Sequence, residues 1–150
     1  MPGSLRKWKV PMDKVLNYIS LARKAGLVEL GEEPVGGAAR AGKAVLVVVA
    51  GDASPHTWRR AKSFVAGTDQ QCLRLPYSKD EMGLATGRTS LAIAAFTDAA
   101  LALVCAQSLP QAAEQEAAVE ALQQRVQRLK QRQKEARAHR KNVRFGKKSK

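Results

Sequence analysis

Residues 44–51, which read AVLVVVAG, give the clearest strand signal in the sequence. Aliphatic and β-branched side chains fill the run, and a glycine closes it. Its apolar residues do not alternate with polar ones, so both faces of the strand should be buried. The run therefore predicts a central strand in a sheet that is covered on both sides.

Helices and strands alternate on either side of this strand. Helix starts are marked by Ser54 with Pro55 after it, by Ser78 and Glu81 in capping-box spacing, and by Asp98. The predicted elements are, in order, helix 13–25, strand 27–30, helix 32–41, strand 44–51, helix 55–66, strand 71–76, helix 78–86, strand 91–97 and helix 98–106. This alternation predicts an α/β fold, a layered sheet with helices on both faces.

Residues 37–44, GAARAGKA, share with the phosphate-binding loop of a nucleotide hydrolase the pattern of a glycine, four residues and then Gly-Lys. Such a loop follows a strand, precedes a helix, and carries Ser or Thr after its Lys to hold Mg²⁺. Here the order is reversed, because Gly42 and Lys43 end a predicted helix and precede the strand. Ala44 also lacks a hydroxyl group. The motif therefore does not predict nucleotide binding.

Other candidate catalytic groups also have simpler explanations. Asp52, Ser54 and His56 lie close together in sequence, but a strand-to-helix turn with capping side chains explains them better than a hydrolase triad. Glu32 and Glu33 have no histidine or ligand partner nearby. Cys72 and Cys105 show no metal-ligand or disulfide pattern, which favours buried thiols in a reducing compartment. We therefore expect no enzyme activity, metal, cofactor or small-molecule substrate.

The charge of the chain is concentrated at its C-terminal end. The net charge is +13, and residues 125–150 hold 12 of the 26 Lys and Arg residues but one of the 13 acidic residues, Glu135. A polycation of this kind attracts phosphate polyanions, so nucleic acid is the expected partner. A membrane surface is the weaker alternative, because few large apolar side chains accompany the charges. Neither a secretory leader nor a membrane span is indicated, so we expect a cytoplasmic protein.

After Pro110 the chain becomes rich in strong helix formers. Val119, Leu122, Val126 and Leu129 form an apolar seam about two heptads long, too short to predict a coiled coil. A solvated helix, or one that folds on RNA, is the favoured interpretation, and the seam leaves open a protein partner, a second copy or no partner. Residues 142–150 are expected to be disordered when free. We divide the chain into an α/β domain at 12–107 and a basic helical extension with a disordered tail at 108–150.

Two long stretches carry a family resemblance. Residues 21–55 and 78–101 contain an ordered series made of Gly31, Gly42, AGDAS at 50–54, SKDEMG at 78–83, Gly87 and Thr97-Asp98. This series resembles the ribosomal and kink-turn-RNA-binding family known as L-seven-Ae, L-thirty-e and Gadd, and most of all its small bacterial ribosome-associated members. The likeness covers about 12–107. It implies a three-layer α/β/α sandwich around a four-stranded mixed sheet, without catalytic activity.

The resemblance also implies where RNA binds. In the family, the start of the helix after the first strand and the loop before the last strand form the RNA surface, and these correspond to 31–37 and 86–91 here. Exposed amides and a carboxylate at a helix start suit phosphate or base contacts. The implied RNA-binding residues are Gly31, Glu32, Glu33, Arg40, Lys43, Gly87, Arg88, Thr89 and Ser90. The tail residues expected to contact phosphates are Arg137, Arg140, Lys141, Arg144, Lys147 and Lys148.

The sequence departs from the family pattern at three places. Strong kink-turn binders carry an Asn-Glu pair followed by a Lys, and the matching positions hold Glu33, Pro34 and Gly37. Pro34 and Gly37 offer no side-chain contact to a base or a phosphate. Arg40 and Lys43 are candidates to replace the phosphate contact, or are solvated cations at a helix end. Trp8 is a candidate to stack on a base, whereas Trp58 is expected to be partly buried in the core.

Two functions remain in view. The first is a ribosome-associated, RNA-binding protein, part of a ribonucleoprotein, that recognises structured, kink-turn-like RNA. The second is a protein-interaction module that kept the fold but lost selective RNA recognition, with a tail that binds nucleic acid non-specifically. The resemblance favours the first.

Overall fold

The computed structural model describes residues 14–109 and 113–146, with side chains described for 14–109 and 115–140. Met12 and Asp13, at the start of the predicted domain and helix, lie outside these ranges. The helices are α1 (Lys14–Ala25), α2 (Glu32–Arg40), α3 (Pro55–Val65), α4 (Lys79–Ala85), α5 (Ala99–Gln107) and α6 (Ala113–Gly146). The strands are β1 (Val28–Leu30), β2 (Leu46–Val49), β3 (Gln71–Arg74) and β4 (Ile93–Phe96).

The four strands form one mixed sheet in the order β1-β4-β2-β3. Strand β2 is interior, parallel to β3 and antiparallel to β4, and β1 is antiparallel to β4. Every residue of β2 and β4 is buried. Because interior strands of a covered sheet have no solvent-facing side, they contain apolar residues without alternation. The prediction that AVLVVVAG is a central strand is confirmed.

The two ends of the sheet serve as reference points for the positions of the candidate residues on the body. The first, here the Leu30 end, contains Leu30, Val49, Arg74 and Ile93, since Leu30 pairs with Ala94, Val49 with Ile93 and Arg74 with Val49. The second, the Gln71 end, contains Val28, Leu46, Gln71 and Phe96 by the same pairing. Helices α2 and α3 each begin at the Leu30 end and return to the Gln71 end.

Two groups of helices cover the sheet. Helices α2 and α3 contact each other and pack on β1, β4, β2 and β3. Helices α1, α5 and α6 form the second group, in which α5 contacts both α1 and α6, α1 packs on β1, and α6 packs beside β3. The predicted three-layer α/β/α arrangement is confirmed. Its core includes Ile19, Val35, Leu46, Phe96 and Leu122, all nearly inaccessible.

The helix boundaries predicted from capping residues are confirmed. The Ser54 hydroxyl accepts a hydrogen bond from the Thr57 amide at 3.2 Å, and the Asp98 carboxylate accepts one from the Leu101 amide at 2.9 Å. The capping box is complete, because Ser78 accepts from the Glu81 amide while the Glu81 carboxylate accepts from the Ser78 amide. Gly42, just past α2, has a φ of 73°, the left-handed conformation expected there.

The first half of α6 corrects the prediction of a solvated helix. Ala118 and Leu122 are buried, and Val119 and Val126 pack partly buried against the same core. The first three residues of the predicted seam therefore pack on the body, where α6 meets α5 and the edge strand β3, while Leu129 stays exposed. A short seam suffices for this contact, because the partner surface belongs to the same chain.

The far half of α6 corrects a second prediction. The helix continues to Gly146, so residues 142–146, predicted to be disordered, are helical, whereas 147–150 lie outside the described residues. Neither proline nor glycine interrupts the sequence between Ala113 and Gly146, so the backbone meets no helix breaker before its end. The division of the chain into an α/β domain that ends at residue 107 and an extension that begins at residue 108 stays a prediction.

Helix α6 runs from the Leu30 end toward the Gln71 end. The Gln115 side-chain amide donates to the Ala106 carbonyl oxygen at 2.8 Å, which ties the start of α6 to the end of α5. Ten residues later, Arg125 contacts Asp69, which lies just before β3 at the Gln71 end. From there residues 127–140, which we call the arm, are all exposed. At 1.5 Å per residue the arm is about 21 Å long.

Candidate nucleic-acid interface

Gly31 and Arg88 lie next to each other although 57 positions separate them. Gly31 directly follows β1 with a φ of 97°, and its amide donates to the Ile93 carbonyl oxygen at 3.0 Å. A Cβ atom added to Gly31 would lie 3.5 Å from Nη1 of Arg88. The two segments that the resemblance implied are thus brought together at the Leu30 end. We call Gly31, Gly87, Arg88, Thr89, Ser90 and the first turn of α2 the Gly31–Arg88 surface.

The loop of residues 86–90 is held in place by Gly83. The Arg88 amide donates to the Gly83 carbonyl oxygen at 2.8 Å, and the buried Thr86 hydroxyl bonds to the Met82 carbonyl oxygen at 3.0 Å. A Cβ atom on Gly83 would lie 2.8 Å from both the Arg88 carbonyl oxygen and the Ser90 Cα. The close approach needs glycine, because backbone atoms cannot yield as a side chain can. Arg88, Thr89 and Ser90 are exposed on this fixed loop.

Arg23 is a further cation at this surface, and the sequence alone leaves open whether it contacts phosphate or is a solvated cation at a helix end. A Cβ atom added to Gly87, whose φ is 74°, would lie 3.7 Å from Nη2 of Arg23. In the sequence Arg23 is one of two basic residues near the end of α1, where cations also stabilise a helix. Only the packing of α1 against α4 shows that its guanidinium reaches the loop.

The first turn of α2 combines free amides with a neutralised carboxylate. Gly31 is the N-cap and offers no side chain to accept hydrogen bonds from the first amides, and Pro34 has no amide hydrogen. Oε1 of Glu32 lies 2.7 Å from Nε of Arg60 on α3. Glu33 and Pro34 are exposed. The Glu32 carboxylate is therefore engaged within the protein, whereas Glu33 faces solvent.

Arg40 and Lys43 do not lie with the other predicted residues. Their backbones lie at the far end of α2, about 14 Å or more from Gly31 at the helical rise, and so at the Gln71 end, although the Arg40 guanidinium folds back to within 3.2 Å of a Cβ atom added to Gly36. Gln70, next to β3, donates to the Ala39 carbonyl oxygen at 3.1 Å, which confirms that this helix end meets the Gln71 end. The Lys43 amide donates to the Ala38 carbonyl oxygen at 2.9 Å. Gly42 and Lys43 thus terminate a helix before a strand, the order that argued against a phosphate loop.

The tail residues divide into described and undescribed positions. Arg137 and Arg140 are exposed on the arm. Lys141 and Arg144 lie within the helical backbone of α6, beyond the described side chains. Lys147 and Lys148 lie outside the described residues, as does Trp8.

The DASPH segment has the structural role predicted for it. Oδ1 of Asp52 accepts a hydrogen bond from the Lys79 amide at 2.8 Å and so caps α4, while Ser54 caps α3. His56 is exposed. Both oxygen-bearing side chains thus satisfy amides at helix starts, as capping residues do.

Trp58, Cys72 and Cys105 are each at least partly buried. Trp58 is partly buried against the core, as predicted, with the Arg74 guanidinium 4.8 Å and the Lys62 ammonium 5.3 Å from its ring. Cys105 is buried, and burial raises the pKa of its thiol to about 12, whereas Cys72 is half-buried. Within residues 14–109 and 115–140, no three His, Cys, Asp or Glu side chains gather in a metal-binding group.

A groove of about 510 Å³ lies beside α5 and α6. Two carboxylates and three side-chain amides dominate its lining, which consists of Gln107, Gln115, Glu116, Val119, Glu120 and Gln123. Negative charge at this groove is unsuited to phosphate. None of the helices in the described part of the chain has the length and apolar content needed to cross a bilayer.

The fold and this surface together define a class, a three-layer α/β/α protein with an exposed edge between a helix start and a glycine-held loop. No family model and no curated protein matches the sequence. Among solved structures, the chain is similar to a protein of unknown function from Bacillus halodurans C, with a TM-score of 0.59 and 24% identity over 63% of this chain and 94% of that one. It is also similar to a 15.5 kD RNA-binding protein of Giardia lamblia, with a TM-score of 0.55 and 21% identity over 77% of this chain and 90% of that one. At these identities the likeness establishes the fold alone.

Proposed function

We propose that the chain is an RNA-binding member of the L-seven-Ae, L-thirty-e and Gadd family that recognises structured, kink-turn-like RNA at the Gly31–Arg88 surface. The observation that carries the proposal is the close approach of the Arg88 guanidinium to Gly31, which places a cationic loop beside a helix start. The similarity in fold to an RNA-binding protein of Giardia lamblia supports it. The proposed role is in the ribosome or its assembly, in the cytoplasm and without catalysis.

The chemistry of the surface suits a bent RNA backbone. The first amides of α2 have no side-chain cap, so they are available to phosphate or base oxygens. The Arg88 guanidinium lies beside Gly31 at the start of α2, and the Arg23 guanidinium lies beside Gly87 in the loop. Thr89 and Ser90 add exposed hydroxyl groups. Glu33 offers a carboxylate that accepts hydrogen bonds from base N–H groups. Shape-dependent contacts of this kind distinguish a kinked internal loop from a straight duplex.

The affinity of this surface should be modest. Pro34 and Gly37 provide no side-chain donor, and the loss of one base contact and one phosphate contact costs roughly 1–3 kcal/mol each. The ion pair between Glu32 and Arg60 limits the repulsion between the α2 carboxylates and phosphate. The surface thus supplies selectivity for RNA shape, while the cations of α6 supply most of the electrostatic attraction.

The test compares the full-length protein on two RNAs of equal length, one with a kinked internal loop and one an uninterrupted duplex. Arg88→Gln should weaken binding to the kinked RNA by roughly 5- to 150-fold, the equivalent of one lost charged contact. Binding to the duplex should change little. Fluorescence anisotropy across a salt series measures both affinities.

Arg59→Gln is the matched control, because Arg59 is an exposed arginine on α3 and its loss changes the net charge equally. It should alter both affinities by the same small factor. If Arg88→Gln also lowers the affinities for the two RNAs by equal factors, the body does not recognise RNA shape. That result would favour the interaction module with a non-specific tail.

A further inference from the structure

The arm leaves the body at the end opposite to the Gly31–Arg88 surface. The Asp69–Arg125 contact places its base at the Gln71 end, whereas Gly31 and Arg88 lie at the Leu30 end. Arg40 and Lys43 also lie at the Gln71 end and are exposed. These candidate RNA-contacting cations are therefore divided between two ends. Nucleic acid at the arm must be a different segment from that at the Gly31–Arg88 surface.

The charges of the arm lie on two opposite flanks. At about 100° per residue, Arg128 and Arg132 project to one side, and Lys130 and Lys134 project to the other, about 160° away. Arg137 lies on the flank of Lys130 and Lys134 by the same spacing. A helix that lies along one strand or on a flat surface needs cations on one side only. Cations on two sides can all pair with phosphate only where phosphates lie on two sides.

A third stripe of the arm lacks cations. Gln127, Gln131 and Glu135 follow one another at helical spacing, and the Gln131 side-chain amide donates to the Glu135 carboxylate at 3.1 Å. Glu135 is the one acidic residue of 125–150. Phosphate would repel this stripe, so it should face solvent. The opposite side, which includes Leu129 and Arg140, should then face the nucleic acid.

We propose that the arm binds between the two phosphate backbones of double-helical RNA at a bulge, where the otherwise narrow major groove is widened, with Arg128 and Arg132 on one backbone and Lys130 and Lys134 on the other. The stripe of Gln127, Gln131 and Glu135 faces outward. The choice of RNA as the partner rests on the proposed function. A membrane surface is disfavoured, because the arm has no continuous apolar side to insert.

The energetics of the isolated arm fit this role. Arg128 and Arg132 are like charges four residues apart, and so are Lys130 and Lys134, which is destabilising in a helix. None of the residues of the arm is buried, so packing does not offset the repulsion. Phosphates on both flanks would neutralise both pairs. The arm helix should therefore become more resistant to thermal unfolding when RNA or salt is added.

The test uses the full-length protein and a bulged RNA duplex without a kinked internal loop, so that selectivity at the Gly31–Arg88 surface does not enter. Two variants remove two charges each, Arg128→Gln/Arg132→Gln from one flank and Lys130→Gln/Lys134→Gln from the other. Each should reduce the slope of log affinity against log salt by about 1.4–1.8. A wild-type slope in one variant and a reduced slope in the other would mean contact with one strand only. Wild-type slopes in both would mean that the arm does not bind the duplex.

Directed cleavage gives a second readout that general electrostatic attraction does not produce. In a Cys72→Ala background, a hydroxyl-radical reagent attached through Leu129→Cys should cut both RNA strands, and one attached through Gln131→Cys should cut little. Equal cutting from the two positions, or cutting of one strand, overturns the proposal. Arg88 is unchanged in these variants, so a negative result overturns the proposal for the arm without affecting the Arg88→Gln test of the proposed function. A negative result with Arg88→Gln likewise leaves the test of the arm valid.

Discussion

Nη1 of Arg125 lies 3.3 Å from Oδ1 of Asp69, where α6 leaves the body. The contact is an ion pair without a well-aligned hydrogen bond, because that nitrogen is buried and has no hydrogen-bond partner. The Asp69 side chain is largely exposed, so the pair contributes at most about 1 kcal/mol. Its importance is positional, since it marks the last anchored turn before the arm.

Leu122 should provide most of the attachment of α6 to the body. Leu122 is 1% exposed, so Leu122→Ala leaves a cavity and should lower the free energy of unfolding by about 2–4 kcal/mol. Leu129→Ala is the control, since Leu129 is 40% exposed and its loss should cost less than about 0.5 kcal/mol. Urea denaturation followed by circular dichroism measures both. Equal effects would contradict the packing of α6 on β3.

Two glycines should respond oppositely to alanine. Gly83→Ala places a Cβ atom 2.8 Å from the backbone of the loop 86–90, so it should destabilise the fold by about 1–3 kcal/mol and weaken selectivity for kinked RNA. Gly37→Ala meets no atom within 4 Å and should stabilise α2 by about 0.5–1 kcal/mol. Thermal unfolding compares the two. Stabilisation by Gly83→Ala would show that the loop is not held by this close approach.

The two cysteines should differ in reactivity. Burial raises the pKa of Cys105 from 9.0 to about 12, so its thiol stays protonated and shielded in the native protein. We expect an aromatic disulfide reagent to modify the half-buried Cys72 first and Cys105 only after unfolding in urea. In a Cys72→Ala variant the early phase should disappear. An early phase that persists in that variant would contradict the burial of Cys105.

The same pKa shift has a consequence for stability. Between about pH 9 and pH 12 the unfolded chain releases the Cys105 proton while the native state keeps it. The unfolded state then binds fewer protons, so stability falls as pH rises through this interval. Cys105→Ala should remove this part of the fall. Urea midpoints at about pH 8 and about pH 10 compare the variant with the wild type, and identical pH dependence would refute the assignment.

The ion pair between Arg60 and Glu32 should influence RNA binding indirectly. Arg60→Gln leaves the Glu32 carboxylate without its partner at a surface that meets phosphate, so affinity for the kinked RNA should fall several-fold. Adding Glu32→Gln should restore much of the loss, because no unpaired charge remains. Stability should change by less than about 1 kcal/mol, since both side chains are over a third exposed. An equal fall in the single and double variants would instead indicate direct contact by Arg60.

The sequence by itself determined the α/β class, the central position of AVLVVVAG and the helix starts at Ser54, Ser78 and Asp98. These features follow from local rules, because an apolar run without polar alternation needs two covering layers and capping residues act on neighbouring amides. The sequence also showed that Gly42 and Lys43 follow a helix and precede a strand, the opposite of the order in a phosphate-binding loop.

Tertiary structure alone decided which cations lie together. Arg23 reaches Gly87 through the packing of α1 on α4, while Arg40 and Lys43 lie at the end opposite to Arg88 because α2 runs the length of the sheet. It also decided that the seam around Leu122 is buried within the same chain. Such facts depend on how elements pack across long separations in sequence, and helical periodicity specifies which side of a helix is apolar without specifying what covers it.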